Sequence, residues 1–521
     1  MSSGKEITLE QQNGLIAALQ RPAAFSEQVE DVVHLQTHIS HVILAGDYAY
    51  KIKKPLDLGF LDFSTLERRR FCCEEELRLN RRLAPELYLD LVPVTGSLAE
   101  PRFGGVGEVL EYAVRMRRFA QSDLLNERLP DSETIKQIAQ MVAEFHQTIP
   151  PADDATPYGR AERVLYPMLE NFAQIREIGL TSLDLPRLDP LEAWTLTQRE
   201  QLRPLMEQRK RAGHIRECHG DMHLGNITRY AGRLQIFDGI EFNPNLSWID
   251  TLNDIAFLLM DLQHRGLERE AAGLLNDYLE RTGDYPALPL LRFYQLYRAM
   301  VRAKVAAIRL AQAGLSDSER QAISEEYAGY IALAEGYTLS ENPTLLITHG
   351  LSGSGKSLFG GWLAERLPAV RLRSDVERKR LFPQTQQPKG LAQGIYSAEA
   401  TRRTYAHLRE LASTILQAGH SVVVDATFLK LEQRRPFQQL AVELGLSYRI
   451  LACEAPDELL RERVQARQQQ GGDPSEADLR VLEMQMESRE PLDDLELPHR
   501  VVLDTRDFPP RGVLEQLLQP H

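Results

Sequence analysis

Eight consecutive residues, Gly350-Leu351-Ser352-Gly353-Ser354-Gly355-Lys356-Ser357, constrain the fold of this chain more than any other segment. They fit G-x-x-x-x-G-K-S without a gap, follow the apolar run LLIT and open the helical pattern LFGGWLAERL. The motif requires this strand-loop-helix context, because its glycines turn backbone N–H groups inward on an anion at a helix N-terminus. Gly350, Gly353, Ser354, Gly355, Lys356 and Ser357 are therefore expected to hold a nucleoside triphosphate. Lys356 would bridge the β- and γ-phosphates, and the Ser357 hydroxyl would ligate Mg²⁺.

Around this loop the sequence alternates β-type and helical runs. LLIT, VRLRS, SVVVDA, YRILAC and RVVLD are the strand candidates, so an α/β domain with a mostly parallel five-stranded sheet is expected from residue 342 onward. Val422-Val423-Val424-Asp425 is a strand ending in a carboxylate, suited to support Mg²⁺ through water. Asp375 and Arg378 lie one helical turn apart after the second strand, where an Asp can activate an acceptor hydroxyl and an Arg can hold an anion. Arg463 and Arg467, spaced i and i+4 on a later helix, are candidates to close over the nucleotide. In the Asp375-x-x-Arg378 pair and these arginines the segment 344–510 resembles small AAA-type P-loop kinases of the polynucleotide-kinase and zeta-toxin kind. That resemblance implies ATP as cofactor and either a small-molecule hydroxyl or a polynucleotide end as acceptor.

The first two thirds read differently. Short β-type runs (VVHLQ, HVILA, YAYKIK) precede a helix expected to start at Ser64, where Ser64-Thr65-Leu66-Glu67 has capping-box spacing. A further strand pair spans roughly residues 91–119, and helical patterns dominate after it. Within them His219-Gly220-Asp221-Met222-His223-Leu224-Gly225-Asn226 is followed by Gln235-Ile236-Phe237-Asp238. Phosphoryl transfer needs one Asp to orient and deprotonate the acceptor hydroxyl, which suits Asp221. It also needs oxygen ligands for Mg²⁺, which suits Asn226 and Asp238. A transition metal held by His219, Asp221 and His223 would require further ligands. His219 is instead expected to brace the loop, with His223 uninvolved.

On these residues the segment from about 25 to 335 resembles the aminoglycoside phosphotransferase family, within the protein-kinase-like fold. The resemblance implies a two-lobed α+β domain and a lysine held by a helix glutamate. Lys51 and Lys53 point the same way on a strand, so alternation does not choose between them; Lys51 fits the apolar-x-apolar-Lys pattern better. Glu76 shares an apolar helical stripe with Cys72, Leu79 and Leu83, and Glu75 is its close competitor. There is no G-x-G-x-x-G above the phosphates. Thr37-His38-Ile39-Ser40 stands there instead, with hydroxyls of Thr37 and Ser40 available to cap phosphate. Arg117-Arg118-Phe119 would form the hinge beside adenine, and Asp254 is a candidate brace for the catalytic loop.

A length of 521 residues calls for more than one core, and 43% hydrophobic with 26% charged residues is ordinary for a folded protein. The expected division is a helical extension at 1–30, a kinase-like domain at 31–341 (β lobe to about 119, α lobe after it) and a P-loop domain at 342–521. The net charge of −13 falls almost wholly on the first two thirds, against bulk attraction to nucleic acid. Four cysteines make no disulfide framework, and no signal-like or membrane-length apolar run is present, so a cytoplasmic protein is expected. The functional expectation is an ATP-dependent kinase with two phosphotransfer sites. Its alternatives are a nucleotide-binding switch, in which one domain gates the other or a partner, and a toxin-like kinase acting on nucleotide-sugars or RNA ends.

Overall fold

The computed structural model describes residues 7–59, 61–179, 185–339, 342–383, 395, 397–470, 478–506, 508 and 513–518. Residues 1–6, part of the segment read for a signal, lie outside the described residues. The chain forms two compact units: residues 1–261 with 297–331, and residues 262–296 with 332–521.

The first unit begins with α1 (Leu9–Leu19), then β1 (Val32–Gln36), β2 (Ser40–Ala45), β3 (Tyr48–Lys53), α2 (Leu66–Asn80), β4 (Tyr88–Gly96), β5 (Pro101–Phe103) and β6 (Val109–Arg117). The strands make one antiparallel sheet in the order β1-β2-β3-β6-β4-β5. Alternation along these strands gives the sheet two apolar faces. Leu15, Ile16 and Leu19 of α1 pack with Ile43, Ile52 and Val94 on one, and Cys73 and Leu77 of α2 pack with Ala49, Tyr88 and Val114 on the other. Helix α2 starts two residues later than expected. Thr65, not Ser64, is its N-cap and accepts from Arg68 N–H, while the Ser64 hydroxyl donates to Asp62.

The chain continues through α3 (Ser132–Thr148), α4 (Ala161–Ile178), α5 (Leu188–Arg211), β7 (Ile215–Glu217), β8 (Ile227–Tyr230), β9 (Arg233–Ile236), α6 (Pro244–Ser247), β10 (Trp248–Asp250) and α7 (Thr251–His264). Two short antiparallel pairs, β7 with β10 and β8 with β9, frame residues 218–226 and 237–243. Helices α8 (Glu268–Thr282), α9 (Leu291–Leu310) and α10 (Asp317–Thr338) follow, and α7, α9 and α10 each cross the division between the units.

The second unit holds β11 (Thr344–His349), α11 (Lys356–Arg366), β12 (Val370–Arg373), α12 (Ser374–Leu381), α13 (Ala398–Gln417), β13 (Val422–Asp425), α14 (Leu431–Leu444), β14 (Ser447–Glu454), α15 (Asp457–Gln470), α16 (Leu479–Ser488), β15 (Arg500–Asp504) and α17 (Val513–Leu518). Its five strands are all parallel, in the order β12-β13-β11-β14-β15. β11, β13 and β14 are near-continuous apolar runs because helices cover both faces of the sheet. The edge strand β12 is covered by α8: Asn276 Nδ2 donates to Ala369 O (2.9 Å), and Arg371 N–H donates to Asn276 Oδ1 (2.7 Å). All four cysteines are free and buried, and among the described residues no helix is long and apolar enough to cross a membrane.

Candidate nucleotide and phosphotransfer sites

In the first unit the site is built where β3, α2 and the segment after β9 meet. Lys51 Nζ donates to Glu76 Oε1 (2.8 Å) and to Asp238 Oδ1. Lys53 Nζ, two residues along the same face of β3, donates to Glu76 Oε2 (2.8 Å) and to Glu241 Oε1. The choice the sequence left open between Glu75 and Glu76 is thereby made: Glu76 is fully buried between the lysines, whereas Glu75 pairs with Arg78 near the surface. Burial opposes the charge on Lys51, but Asp238 and Glu76 outweigh it and raise its pKa well above the ordinary value. Burial pushes Glu76 up, and Lys51 and Lys53 pull it below the usual carboxylate range. Asp238 sits at a φ of 63°, a strained value for a residue with a Cβ, fixed by Tyr88 Oη accepting its N–H and Asn80 Oδ1 accepting that of Gly239.

The loop from 218 to 226 carries the second half of this site. Asn226 Nδ2 donates to the Asp221 carbonyl (2.9 Å) and to Asp221 Oδ2 (3.1 Å), which leaves the side-chain oxygen Oδ1 of Asn226 available as a hard ligand. His223, expected to be uninvolved, lies with Nε2 3.5 Å from Asp221 Oδ2. Its Nδ1 accepts from Gly225 N–H (3.1 Å), so a neutral ring carries its proton on Nε2, toward Asp221. Burial pushes Asp221 up, but His223 and Arg302 hold it well below the carboxylate range. His219 braces the loop: Nε2 donates to Phe237 O (2.9 Å), and burial lowers its pKa, keeping the ring neutral.

Asp254, the candidate brace, is fully buried and accepts from His219 N–H (3.1 Å), Gly220 N–H (2.8 Å) and His146 Nε2 (3.1 Å). Two residues unnoticed in the sequence complete the support. Arg298 donates to Gly220 O (2.9 Å), and Asp261 accepts from Leu224 N–H (2.9 Å). Among the described residues His219, Asp221 and His223 form no three-ligand metal cluster; His146, Cys218 and Asp254 come together instead, with His146 bonded to Asp254.

The Thr37–Ser40 turn departs from expectation. Thr37 Oγ1 accepts Ser40 N–H (2.9 Å) and donates to Ser40 O (3.2 Å), so the Thr37 hydroxyl is engaged within the hairpin, and Ser40 is fully buried. The hinge backbone is likewise engaged, Arg117 N–H on Leu87 O and Arg118 N–H on Asp47 O.

In the second unit Gly350–Ser357 joins β11 to α11. Gly353 has a φ of 81°, and a Cβ there would lie 2.8 Å from Leu460 O; at Gly350 it would lie 2.6 Å from Cys453 O. Gly355 caps α11 in the left-handed region. Lys356 is buried with Nζ donating to Leu351 O (2.7 Å), while Ser357 is exposed. Burial lowers the Lys356 pKa against the pull of Cys453, Asp425 and Asp375, and the charge of Arg467 lowers it further. Arg463 is tied down, donating to Thr505 O (2.6 Å), Thr505 Oγ1 (3.0 Å) and Gly353 O (3.4 Å). Asp425 meets a residue the sequence did not single out: Arg371 NH2 donates to Asp425 Oδ2 (2.5 Å) and to Ser357 O (2.8 Å). Asp375 lies in the first turn of α12, which has no side-chain cap, and Arg378 is turned toward Ile395 O (2.7 Å) and Thr401 Oγ1 (3.3 Å).

The oxygen donors suit Mg²⁺ in both units. Asn226 and Asp238 would hold it in the first. Ser357 would hold it directly in the second, with Asp425, one oxygen of which is on Arg371, acting through water.

Residues 345–492 match the AAA_33 family model, an AAA domain, which agrees with the parallel sheet and the glycine loop. The chain is similar to uncharacterized proteins of Mycobacterium tuberculosis and Mycobacterium bovis. Each is 30% identical over 442 residues, 83% of this chain and 85% of the relative. The chain belongs to their family. Among solved structures it is similar to the amicoumacin kinase hAmiN in complex with AMP-PNP, Ca²⁺ and Ami (14% identity, 62% of this chain and 93% of that one, TM-score 0.39). It is also similar to a choline/ethanolamine kinase family protein from Mesorhizobium loti (13%, 62% and 99%, TM-score 0.36). A third is a gluconokinase from Sinorhizobium meliloti 1021 (20%, 34% and 91%, TM-score 0.25). The chain joins an α+β unit with an antiparallel six-stranded sheet to a parallel α/β unit that carries the AAA-domain match.

Proposed function

We propose that this chain is an ATP-dependent kinase with two sites, each transferring the γ-phosphoryl group of Mg-ATP to a hydroxyl acceptor. The observation that carries the reading is the convergence on Lys51 of Glu76 from α2 and Asp238 from the segment after β9, beside a loop in which Asn226 is bonded to Asp221. In the first site Lys51 positions the phosphates, Asn226 and Asp238 hold the metal, and Asp221 orients the acceptor hydroxyl and takes its proton. A carboxylate held well below its ordinary pKa is ionised at neutral pH and ready to accept that hydrogen bond. Catalysis is positioning plus charge stabilisation, with no covalent enzyme intermediate.

In the second site the loop from Gly350 to Ser357 cradles the phosphates, Asp425 supports the metal, and Asp375 orients the acceptor, with Arg378 bracing its helix against Ile395 and Thr401. Arg463 fixes its helix to Thr505 and to the Gly353 carbonyl of the loop, and Arg467, one turn further along that helix, supplies positive charge toward the nucleotide. A small alcohol is the favoured acceptor at both sites, and a polynucleotide end is a candidate for the second.

One observation favours a second reading, in which the first unit binds nucleotide only to gate the other. The Thr37 hydroxyl is engaged within the hairpin and Ser40 is buried, so neither hydroxyl is open to a phosphate. ATP turnover across sugars, choline-like alcohols, nucleosides, aminoglycosides and RNA 5′-hydroxyl ends decides between them, measured for the unmodified chain, Asp221→Ala and Lys356→Ala. Loss of different acceptor activities in the two variants is the expected result. Loss only in Lys356→Ala supports the gating reading, and no loss in either overturns the two-site proposal.

A further inference from the structure

The lysine pair of β3 does not divide into one functional and one surface residue. Glu76 uses each of its oxygens for a different lysine, and each lysine reaches on to a different acid of one short segment: Lys51 to Asp238, Lys53 to Glu241. The two arms differ in exposure. The side chains of Lys51 and Asp238 are 12% and 44% exposed, whereas those of Lys53 and Glu241 are 1% and 4% exposed. Lys53 Nζ also lies 5.0 Å from the centroid of the Phe63 ring, which in turn packs on Phe242 next to Glu241.

The open arm is the one a nucleotide and its metal can reach. For Lys51 to bond phosphate and Asp238 to ligate the metal, both must give up part of their present pairing. Glu76, with no exposure at all, would then be a buried carboxylate losing a cation, a state that desolvation strongly disfavours unless another cation remains. Lys53 is that cation. Glu241 in turn balances Lys53, so the inner lysine does not push Lys51 away by like-charge repulsion.

We propose that Lys53 and Glu241 are positioning residues of the first site: they hold the second oxygen of Glu76 so that it stays fixed and aligned while Lys51 and Asp238 engage the Mg-nucleotide. The proposal rests on the two-site reading of the previous subsection and assigns work to two residues outside the Lys51, Glu76 and Asp238 set. It also accounts for a site without a glycine-rich phosphate loop, since order at the phosphates is then supplied from beneath by a doubly anchored Glu76.

The test uses the full-length chain carrying Lys356→Ala, so that ATP turnover reads the first site. Lys51→Ala should lower both turnover and ATP affinity by about tenfold or more. If this background turns over no ATP, or Lys51→Ala has no effect, the first-site reading itself fails and the proposal falls with it. With that reading intact, Lys53→Met combined with Glu241→Gln removes both charges at nearly constant shape. The expected result is a kcat lower by about tenfold or more, a KM for ATP within about threefold, and a thermal midpoint close to the parent. A purely structural pair would lower the midpoint and leave kcat per folded molecule unchanged, and that outcome overturns the proposal. Should the double variant not fold, Glu241→Gln alone is read by the same criteria.

Discussion

Asp254→Asn isolates the support of the loop from 218 to 226 from the chemistry proposed for it. The carboxylate is fully buried and accepts two backbone N–H groups, of His219 and Gly220, and the ring of His146. An amide keeps one accepting oxygen and turns an NH2 toward the other donor, leaving at least one buried N–H unpaired. That costs roughly 1–3 kcal/mol. A second route gives a similar figure. Burial pushes the Asp254 pKa up, but the bonds from His146, His219 and Gly220 hold it at about 2 against an ordinary 3.8, and this difference is worth roughly 2 kcal/mol at pH 7. Because the folded value is depressed, the stabilisation is complete above pH 4 and is lost as pH falls toward 2. Differential scanning calorimetry should therefore show the first unit melting about 5 °C lower in Asp254→Asn at neutral pH. The gap between the parent and the variant should shrink to roughly half by pH 3. Turnover assigned to the first site should fall while that of the second is unchanged. A gap that stays constant down to pH 3, or one below about 0.5 kcal/mol at pH 7, would refute the assignment of Asp254 as an ionised acceptor for the loop.

Other expectations follow from single contacts. Gly353→Ala forces a Cβ to 2.8 Å from Leu460 O at a φ of 81°, so ATP-analogue binding in the second unit, measured by calorimetry in a Lys51→Ala chain, should weaken by about tenfold or more. Asn276→Ala unpairs Arg371 N–H and Ala369 O at the edge of the parallel sheet and should destabilise the second unit by about 1–3 kcal/mol in urea unfolding. Arg371→Met frees the second oxygen of Asp425, and the Mg²⁺ concentration giving half-maximal turnover in the second site should fall. Arg434 is fully buried and bonded to both oxygens of Glu496, so Arg434→Met alone should cost about 3–5 kcal/mol, and the paired change with Glu496→Leu should recover part of it.

The parallel sheet and its glycine loop were legible in the sequence, because buried parallel strands are continuous apolar runs and the loop has a fixed spelling. The first site was legible in its loop and less so at its lysines. Spacing by two placed Lys51 and Lys53 on one face, and it needed Asp238 and Glu241, nearly 190 positions away, to separate them. Glu241 carried no local signal, since its partner comes from another strand. Neither did Arg371 or Asn276, whose roles arise only when β12 lies beside β13 and under α8. Ser64 and Thr65 are both good capping residues, and the Asp62 side chain decided between them by taking the Ser64 hydroxyl.

The two sites meet the same electrostatic demand with different parts of the chain. In the second, a glycine loop runs into a helix start, where backbone N–H groups would meet a phosphate, and one buried lysine stands inside the loop. Such a site needs little from distant residues, so its motif is local and readable. In the first, the turn that would cover the phosphates is closed on itself through Thr37 and Ser40. Charge must then come from side chains, and buried side-chain charges need partners. Lys51 requires Glu76, Glu76 requires a cation when Lys51 turns to phosphate, and Lys53 with Glu241 supplies it. A site of that kind is necessarily assembled from remote positions, which is why it is written in the sequence as scattered single residues rather than as one contiguous motif.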